Sequence, residues 1–425
     1  MPRRGIRLMA PTTVRATTLA LEPVLGTDAI PDSDRREPGQ APRLLSGEDM
    51  WARVRPHLWD YGLTRVAHLT HLDRIGIPVH MAVKPAGISL ASGSGKGVTE
   101  LASTLSAVME AIEQTYWETC DPEHRLATQA ELAAGDEAFV GYDVLPLNRG
   151  HVLTESTPLR WVQLWDVANG GPVWAPLSHI TLPLGRRFEQ NGVMVSTNGL
   201  ASGSHVLEAM LSGLMEVIER DAITLAYLTE SLRPVAGDDR SSTWAALADR
   251  IAAAGLRLTV SECTTDDVGV PTYHARISDP GGGVGDFGGY GAALDSDVAV
   301  VRAITEAAQS RCIVVAGARD DIHMLQRRGA VRLAKRPPAV ADVKVPARYR
   351  PVDLSGRSLV EDLTAAVAQL RRAGLDRVLV HRYSGERDPV QVVRVLVPGL
   401  EGYHARTYVE GPRARARLAA AGAAP

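Results

Sequence analysis

The chain has 425 residues, and its 46 Lys and Arg against 49 Asp and Glu leave a formal net charge of -3 at pH 7. That near-balance gives no bulk attraction to nucleic acid, while 45% hydrophobic residues are ample for the core of one large domain or two. Cys120, Cys263 and Cys312 are far apart and form no C-x-x-C pair, so a disulfide framework and a zinc ribbon are not expected and a reducing, cytoplasmic setting fits.

No apolar run reaches the ~18 residues a membrane span needs. Pro11, Thr12, Thr13 and Arg15 break the stretch after the N-terminal arginines, so no signal peptide is read. Residues 1–45 mix Pro, Arg, Thr and Asp without sustained periodicity and are expected to form a poorly ordered extension. Ser46-Gly-Glu-Asp then opens a helix, with Ser46 as N-cap and Trp51, Val54 and Leu58 on one face. Val66 to Thr70 alternates like a short strand, Asp73 to Gly76 turns, and Ile77 to Val83 returns. Asp73 and Arg74 read as a structural turn pair. On spacing alone His68, His71 and His80 form no metal triad.

Gly93 to Gly97 reads as a glycine loop feeding a helix, with Lys96 as a phosphate partner. That helix is apolar except for a stripe of Ser103, Ser106, Glu110 and Glu113. Residues three and four apart share a helix face. A short helix follows in ATQAELAAG, then a hairpin with Trp161 to Asp166 and Val173 to Ala175 around the turn Asn169-Gly170-Gly171. A second glycine turn at Ser196 leads into a helix with the stripe Glu208, Ser212, Glu216, Glu219 and Arg220. A helix from Ser241 to Ala254 and strands at Leu256 to Ser261 and Val270 to Ser278 come next. A third glycine segment, Gly288-Gly289-Tyr290-Gly291, reads as an active-site loop before a helix striped with Arg302, Glu306, Gln309 and then Arg311. Cys312 beside Arg311 reads as a small buried apolar residue. Residues 326–350 are basic and proline-rich and read as a loop or lid. Ser358 to Arg372 is an amphipathic helix, Arg377 to Tyr383 and Val390 to Val397 are strands, and 406–425 is expected to be a basic, solvated tail. The irregular alternation of strands and helices, with hairpins, favours an α+β fold over a doubly wound parallel sheet.

One Glu pair at i, i+3 is ordinarily a solvated face. Three acidic stripes on otherwise apolar helices point inward instead. Neighbouring carboxylates in a core repel unless a cation sits between them. Oxygen-only ligands suit Mg²⁺, which shares its shell with phosphates, and glycine segments and helix N-termini offer N–H donors to those phosphates. The residues therefore point to a Mg-nucleotide site. It is not a Walker P-loop, because Gly97 follows Gly95-Lys96 where Ser or Thr is needed and Leu90 stands where the leading glycine belongs.

On these motifs the sequence resembles the YcaO family, from roughly Ser46 to Tyr403. Ser106, Glu110 and Glu113 match its Ser-x-x-x-Glu-x-x-Glu helix. Asn198, Gly199, Glu216, Glu219, Arg220 and Asp221 match its Asn-Gly turn and Glu-x-x-Glu-Arg helix. Glu306, Gln309 and Arg311 match its Glu-x-x-Gln-x-Arg helix, while Gln114 departs from the Arg that many members carry. The resemblance implies a YcaO-like catalytic domain over 46–405, with mixed and antiparallel sheets and helices enclosing a Mg-ATP site. It implies ATP and Mg²⁺ as cofactors and O-phosphorylation of a backbone amide in a ribosomally made precursor peptide.

Carried over residue by residue, Glu110, Glu113, Glu216 and Glu219 would hold metal. Lys96, Ser106, Glu110, Asn198, Glu306, Gln309 and Arg311 would contact the nucleotide. Arg220 and Arg311 would stabilise charge during the chemistry, with Arg220 alternatively clamping Asp221. The GLTRVAHLTHLDRIGIPV and VPGLEGY segments are similar to members that make thioamides with a TfuA-like partner, and also to stand-alone cyclising members. The chain ends Ala-Gly-Ala-Ala-Pro, not in the Pro-x-Pro-x-Pro tail of many azoline-forming members. Thioamide formation is the leading expectation. Azoline or macroamidine formation, and a non-catalytic module that binds a leader peptide, stay open, as does a homodimer.

Overall fold

A computed structural model of the chain describes residues 18–31, 34–36, 40–150, 152–182, 192–237, 239–281, 285–317, 345–402 and 408–422. Its helices are α1 (Glu22–Leu25), α2 (Gly47–Val54), α3 (Glu100–Thr119), α4 (Gln129–Ala134), α5 (Val206–Leu228), α6 (Ser242–Ala253), α7 (Ser296–Ala316), α8 (Leu359–Arg372) and α9 (Pro412–Ala420). Its strands are β1 (Arg65–His68), β2 (Val79–Val83), β3 (Ser92–Lys96), β4 (Arg125–Ala127), β5 (Leu147–Asn148), β6 (Leu159–Asp166), β7 (Pro172–Pro176) and β8 (Leu200–Gly203). They continue with β9 (Arg233–Ala236), β10 (Arg257–Glu262), β11 (Thr272–Ser278), β12 (Phe287–Ala292), β13 (Ala347–Arg348), β14 (Leu379–Arg382), β15 (Gln391–Leu396) and β16 (Tyr408–Val409).

Three sheets dominate. One is three-stranded, β1-β2-β3; one is five-stranded, β12-β11-β10-β9-β13; one is six-stranded, β4-β6-β14-β15-β8 with β7 on β6. Pairing is antiparallel apart from β13 on β9, so the fold is α+β as the sequence indicates. Local signals place many elements. Ser46 Oγ accepts Asp49 N–H at 3.0 Å and starts α2. Thr128 and Glu131 form a reciprocal cap on α4. Gly170 and Gly171 take φ of 77° and 106° in the β6–β7 hairpin.

Each long striped helix lies on its own sheet: α3 on β2 and β3, α5 on β8 and β15, α7 on β11 and β12. The strand before each helix is an edge strand of that sheet. The glycine segments at 93–97 and 288–291, expected as loops, are thus strands. Their glycines admit a helix onto the backbone. A Cβ on Gly95 would lie 2.1 Å from Ala107 N and from Ser103 O, and one on Gly289 would lie 2.1 Å from Ala307 N. No side chain survives such an approach, so glycine here serves packing, not flexibility.

The termini also differ from expectation. Leu19, Leu21, Val24 and Leu25, inside the expected disordered extension, are buried in the cluster around α5 and α8. Arg382 Nη1 fixes them by donating to the carbonyls of Val24 and Leu25 at 2.9 and 3.0 Å. The tail expected to be solvated forms α9. Arg413 there reaches Asp221 of α5 through Nε at 3.0 Å and Nη2 at 2.9 Å. Of the expected lid, 345–350 are described and include β13 on the five-stranded sheet, with Tyr349 buried against Ser296 at 2.7 Å. Residues 326–344 lie outside the described residues. Among those described, no helix is long and apolar enough to cross a membrane. Cys312 is buried, with its thiol pushed up to about 12 by burial, as a small core residue should be.

Candidate active site

The three strand–helix units close on one another in a ring. Besides its own sheet, α3 touches β8, α5 touches β12, and α7 touches β3. Each contact joins a helix carboxylate to the edge strand of the next unit. Ser202 Oγ on β8 donates to Glu113 of α3 at 2.6 Å. Ala292 N–H on β12 donates to Glu219 of α5 at 3.2 Å. Lys96 on β3 pairs with Glu306 of α7. The sequence carries the same order: positions 106, 110 and 113 recur with equal spacing at 212, 216 and 219 and at 302, 306 and 309.

A cavity of about 1120 Å³ fills the ring, walled by Lys96, Ser106, Glu110, Glu113, Ser212, Glu216, Glu219, Arg220, Arg302, Glu306 and Gln309, among others. Most of the residues expected at a nucleotide site therefore meet in one place. Two do not. Asn198 lies in the turn before β8, off the cavity wall, with its buried Oδ1 lacking a hydrogen-bond partner. Arg311 also lies off the wall. Its Nε donates to both carboxylate oxygens of Asp73, at 3.1 and 3.0 Å, in a pair whose side chains are 4% and 5% exposed. As placed, Arg311 and Asp73 tie α7 to the loop after β1, which agrees with the structural reading of Asp73. Its neighbour Arg74 pairs instead with Asp279 at 3.0 Å.

Two further assignments change. Arg220 does not clamp Asp221, because consecutive helix residues point about 100° apart. Asp221 faces away to Arg413 and accepts Glu401 N–H at 2.8 Å, whereas Arg220 faces the cavity, 4.0 Å from Glu216 and 3.8 Å from Glu219. Glu208, in the acidic stripe, is consumed locally: it accepts Ser204 N–H at 2.7 Å and Leu44 N–H.

The electrostatics of the ring favour a bound cation. Burial raises the carboxyl of Glu113 well above the ordinary range, with Glu110 and Glu216 adding repulsion that the Ser202 bond only partly offsets. Burial likewise raises Glu216 and Glu219, against the pull of Arg220. Glu216 is 27% exposed at its side chain, and that exposure is to the cavity, so its low-dielectric surroundings and its access to a ligand coexist. Burial also opposes the charge on Glu306, but Lys96, Arg220 and Arg302 outweigh it and bring the carboxyl below its ordinary value. Glu110 accepts Ser94 N–H at 3.3 Å and Gln114 Nε2–H at 3.4 Å. On the same wall, Gln114 Oε1 and Arg302 Nε are buried without a hydrogen-bond partner. Converging carboxylates with raised proton affinity, an all-oxygen donor set and unmatched cavity-wall groups fit a hard divalent cation with an anionic co-ligand.

Two features escaped sequence reasoning. Ser202 carries no motif, and only its equivalence to Lys96 in the repeat would have exposed it. A side chamber of about 360 Å³ shares Arg220, Glu306 and Ser310 with the main cavity and adds Tyr227, His274 and Tyr290. The Tyr227 and Tyr290 hydroxyls are 2.9 Å apart. Burial brings the His274 imidazole down to about 4 and keeps it neutral. These groups sit on separate strands and helices with no shared period.

Comparison with known proteins gives the family. Residues 94–401 match the family described as YcaO cyclodehydratase, ATP- and Mg²⁺-binding. A protein encoded in the tfuA 3′ region of Rhizobium leguminosarum bv. trifolii is 34% identical over 376 residues, covering 84% of this chain and 88% of that protein. A heterocyclase solved in complex with substrate and cofactor superposes with a TM-score of 0.74 at 22% identity, covering 92% of this chain and 57% of that one. YcaO from Methanopyrus kandleri, bound with AMPPCP and Mg²⁺, gives 0.68 at 20% identity, covering 89% of this chain and all of that one (100%). The last two likenesses concern the fold. Taken with the extent of the family match and the identity to the rhizobial relative, they make this chain a member of the YcaO family, whose ATP- and Mg²⁺-dependent enzymes modify peptides.

Proposed function

We propose that this protein activates a backbone amide of a ribosomally made precursor peptide with Mg-ATP, and that the product is a thioamide formed with a TfuA-like partner. The observation that carries the reading is the ring itself: carboxylates from three helices meet in one cavity and repel one another unless a cation joins them. In the proposed site Glu110, Glu113, Glu216 and Glu219 hold Mg²⁺, and Lys96, Ser106, Glu306, Gln309 and Arg220 face the nucleotide. When bound, Mg²⁺ neutralises phosphate charge during transfer. Arg220 and Arg302 add positive charge to the same wall. Arg311 acts through position, by fixing α7 against Asp73.

An amide oxygen is a poor leaving group and a phosphate is a good one. In the overall change sulfide replaces the amide oxygen, ATP gives ADP, and the oxygen departs in phosphate. The tfuA-region origin of the rhizobial relative supports the thioamide outcome over cyclisation.

Peptide-dependent ADP release tests the activation. Glu110→Gln and Glu216→Gln are each expected to abolish it with the circular-dichroism spectrum unchanged, and undiminished turnover in either variant contradicts the reading. The intact mass of the treated peptide tests the product: exchange of O for S adds about 16 mass units, whereas loss of water removes about 18. A non-catalytic peptide-binding module would show no Mg-ATP binding by calorimetry.

A further inference from the structure

Outside the ring, β1 and β2 bring together histidines that their sequence spacing leaves apart. His68 and His80 are cross-strand partners in the antiparallel register, and their rings stack with centroids 4.6 Å apart. Glu100, in the first turn of α3, closes the group. Its Oε2 lies 2.9 Å from His68 Nε2 and 3.6 Å from His80 Nε2. One ligand atom from each of the three residues falls within 4.8 Å of the others.

Hydrogen bonding around His80 decides which nitrogen is free. Ser103, fully buried, donates its one hydroxyl proton to the Glu100 carbonyl at 3.0 Å. Its oxygen therefore accepts from His80 Nδ1, 2.7 Å away. With Nδ1 carrying the proton, a neutral His80 presents the Nε2 lone pair to the Glu100 carboxylate. Two acceptors then face each other at 3.6 Å beside a second imidazole. The arrangement matches that of metal-ligating histidines, in which the outer nitrogen donates to a fixed acceptor and so sets tautomer and ring angle. His80 is 8% exposed and held by the sheet, whereas the side chains of His68 and Glu100 are 43% and 52% exposed. His68 Nε2 also contacts Thr70 Oγ1 at 2.8 Å, and a metal would displace that contact as His68 and Glu100 turn to make bonds of about 2.0–2.2 Å.

We propose that His68 Nε2, His80 Nε2 and a Glu100 carboxylate oxygen bind a borderline divalent cation of the zinc type, separate from the Mg-nucleotide ring. Two imidazoles and one carboxylate are the donor set such ions prefer, in contrast to the oxygen-only ring. His71 lies beside the group, its ring centroid 5.1 Å from that of His68. Because Glu100 opens the helix that carries Glu110 and Glu113, the ion fastens the β1–β2 hairpin to the start of α3.

The test is calorimetric titration of the nucleotide-free full-length protein with ZnCl₂, repeated with CoCl₂ while recording the visible spectrum. One ion per chain with nitrogen-containing ligation is expected in the wild type and in Glu216→Gln, which removes a ring carboxylate. Binding should be lost in His68→Ala, an exposed position where the fold is not at stake. It should weaken by roughly 10- to 100-fold in Ser103→Ala, which removes the acceptor that orients His80 together with the hydroxyl's bond to the Glu100 carbonyl. Absence of zinc binding in the wild type overturns the proposal. So does zinc binding that survives His68→Ala, or that disappears in Glu216→Gln.

Discussion

Two neighbouring residues of α5 show how the same charged groups serve opposite ends. Asp221, on the back of the helix, has its carboxylate fully engaged by Arg413 and Glu401 N–H at 2.8–3.0 Å. Arg413 also reaches Asp267 at 2.8 Å, where it and Arg417 overcome burial and hold that carboxyl down to about 2. Burial raises the carboxyls on both faces, Asp221 included, but on the front Glu216 and Glu219 stand 4.0 and 3.8 Å from Arg220, beyond hydrogen-bond reach. A buried ion pair with complete hydrogen bonding is a structural joint that is costly to break. Charges left loosely matched in a cavity are poised for a ligand, at some cost to the empty protein. The difference assigns the back of α5 to stability and the front to chemistry.

The sharpest way to break that assignment is Glu216→Gln. ATP turnover should fall by about three orders of magnitude, on the scale of losing a charge stabiliser in phosphoryl transfer, while the denaturation midpoint stays level or rises. A lowered midpoint with retained turnover would put Glu216 on the structural side. Gly95→Ala attacks the scaffold that aligns front and back. Its Cβ would sit 2.1 Å from α3 backbone, and a loss of about 3 kcal/mol in urea denaturation is expected.

Arg413→Ala is the converse of the glutamate variant. It strands a buried carboxylate and should cost about 3 kcal/mol, with Mg-ATP affinity of the folded fraction unchanged. The pH dependence, combined with ligand and with the Glu113→Gln variant, reports on the ring. Because burial raises the folded-state carboxyls of Glu113, Glu216 and Glu219, the stability they confer is complete below the ordinary carboxylate range. It is lost as pH rises through the folded values. Ligand-free stability should therefore decline over that interval, less steeply in Glu113→Gln, and Mg-nucleotide should remove the decline. Arg417→Ala brings the smallest change. That arginine and Asp267 are each 35% exposed at 2.9 Å, so under about 1 kcal/mol is expected by thermal melting.

Much of this division was legible in the sequence, because a polar stripe on an apolar helix survives as a pattern with a period of 3.6 residues. Glu110, Glu113, Glu216, Glu219 and Glu306 stand out by that period, and the ring gathers them. The glycine segments read locally as loops because glycine is unfavourable in strands by propensity. What overrides propensity at Gly95 and Gly289 is the approach of a helix distant in the chain, which no local window contains. Arg220 and Asp221 looked like a pair because they are adjacent, yet the helix turns them to opposite regions. Ser202 carries no signal beyond its place in the repeat, ten residues before Ser212 as Lys96 is before Ser106, and Leu19 to Leu25 is too short a segment for its burial to show as a period.

The most direct test of the central claim is the anomalous diffraction of crystals grown with Mn²⁺ and a non-hydrolysable ATP analogue. The account predicts metal peaks within bonding distance of carboxylates from both α3 and α5, inside the ring. Metal and nucleotide bound elsewhere, with Glu110, Glu113, Glu216 and Glu219 left uncoordinated, would contradict it.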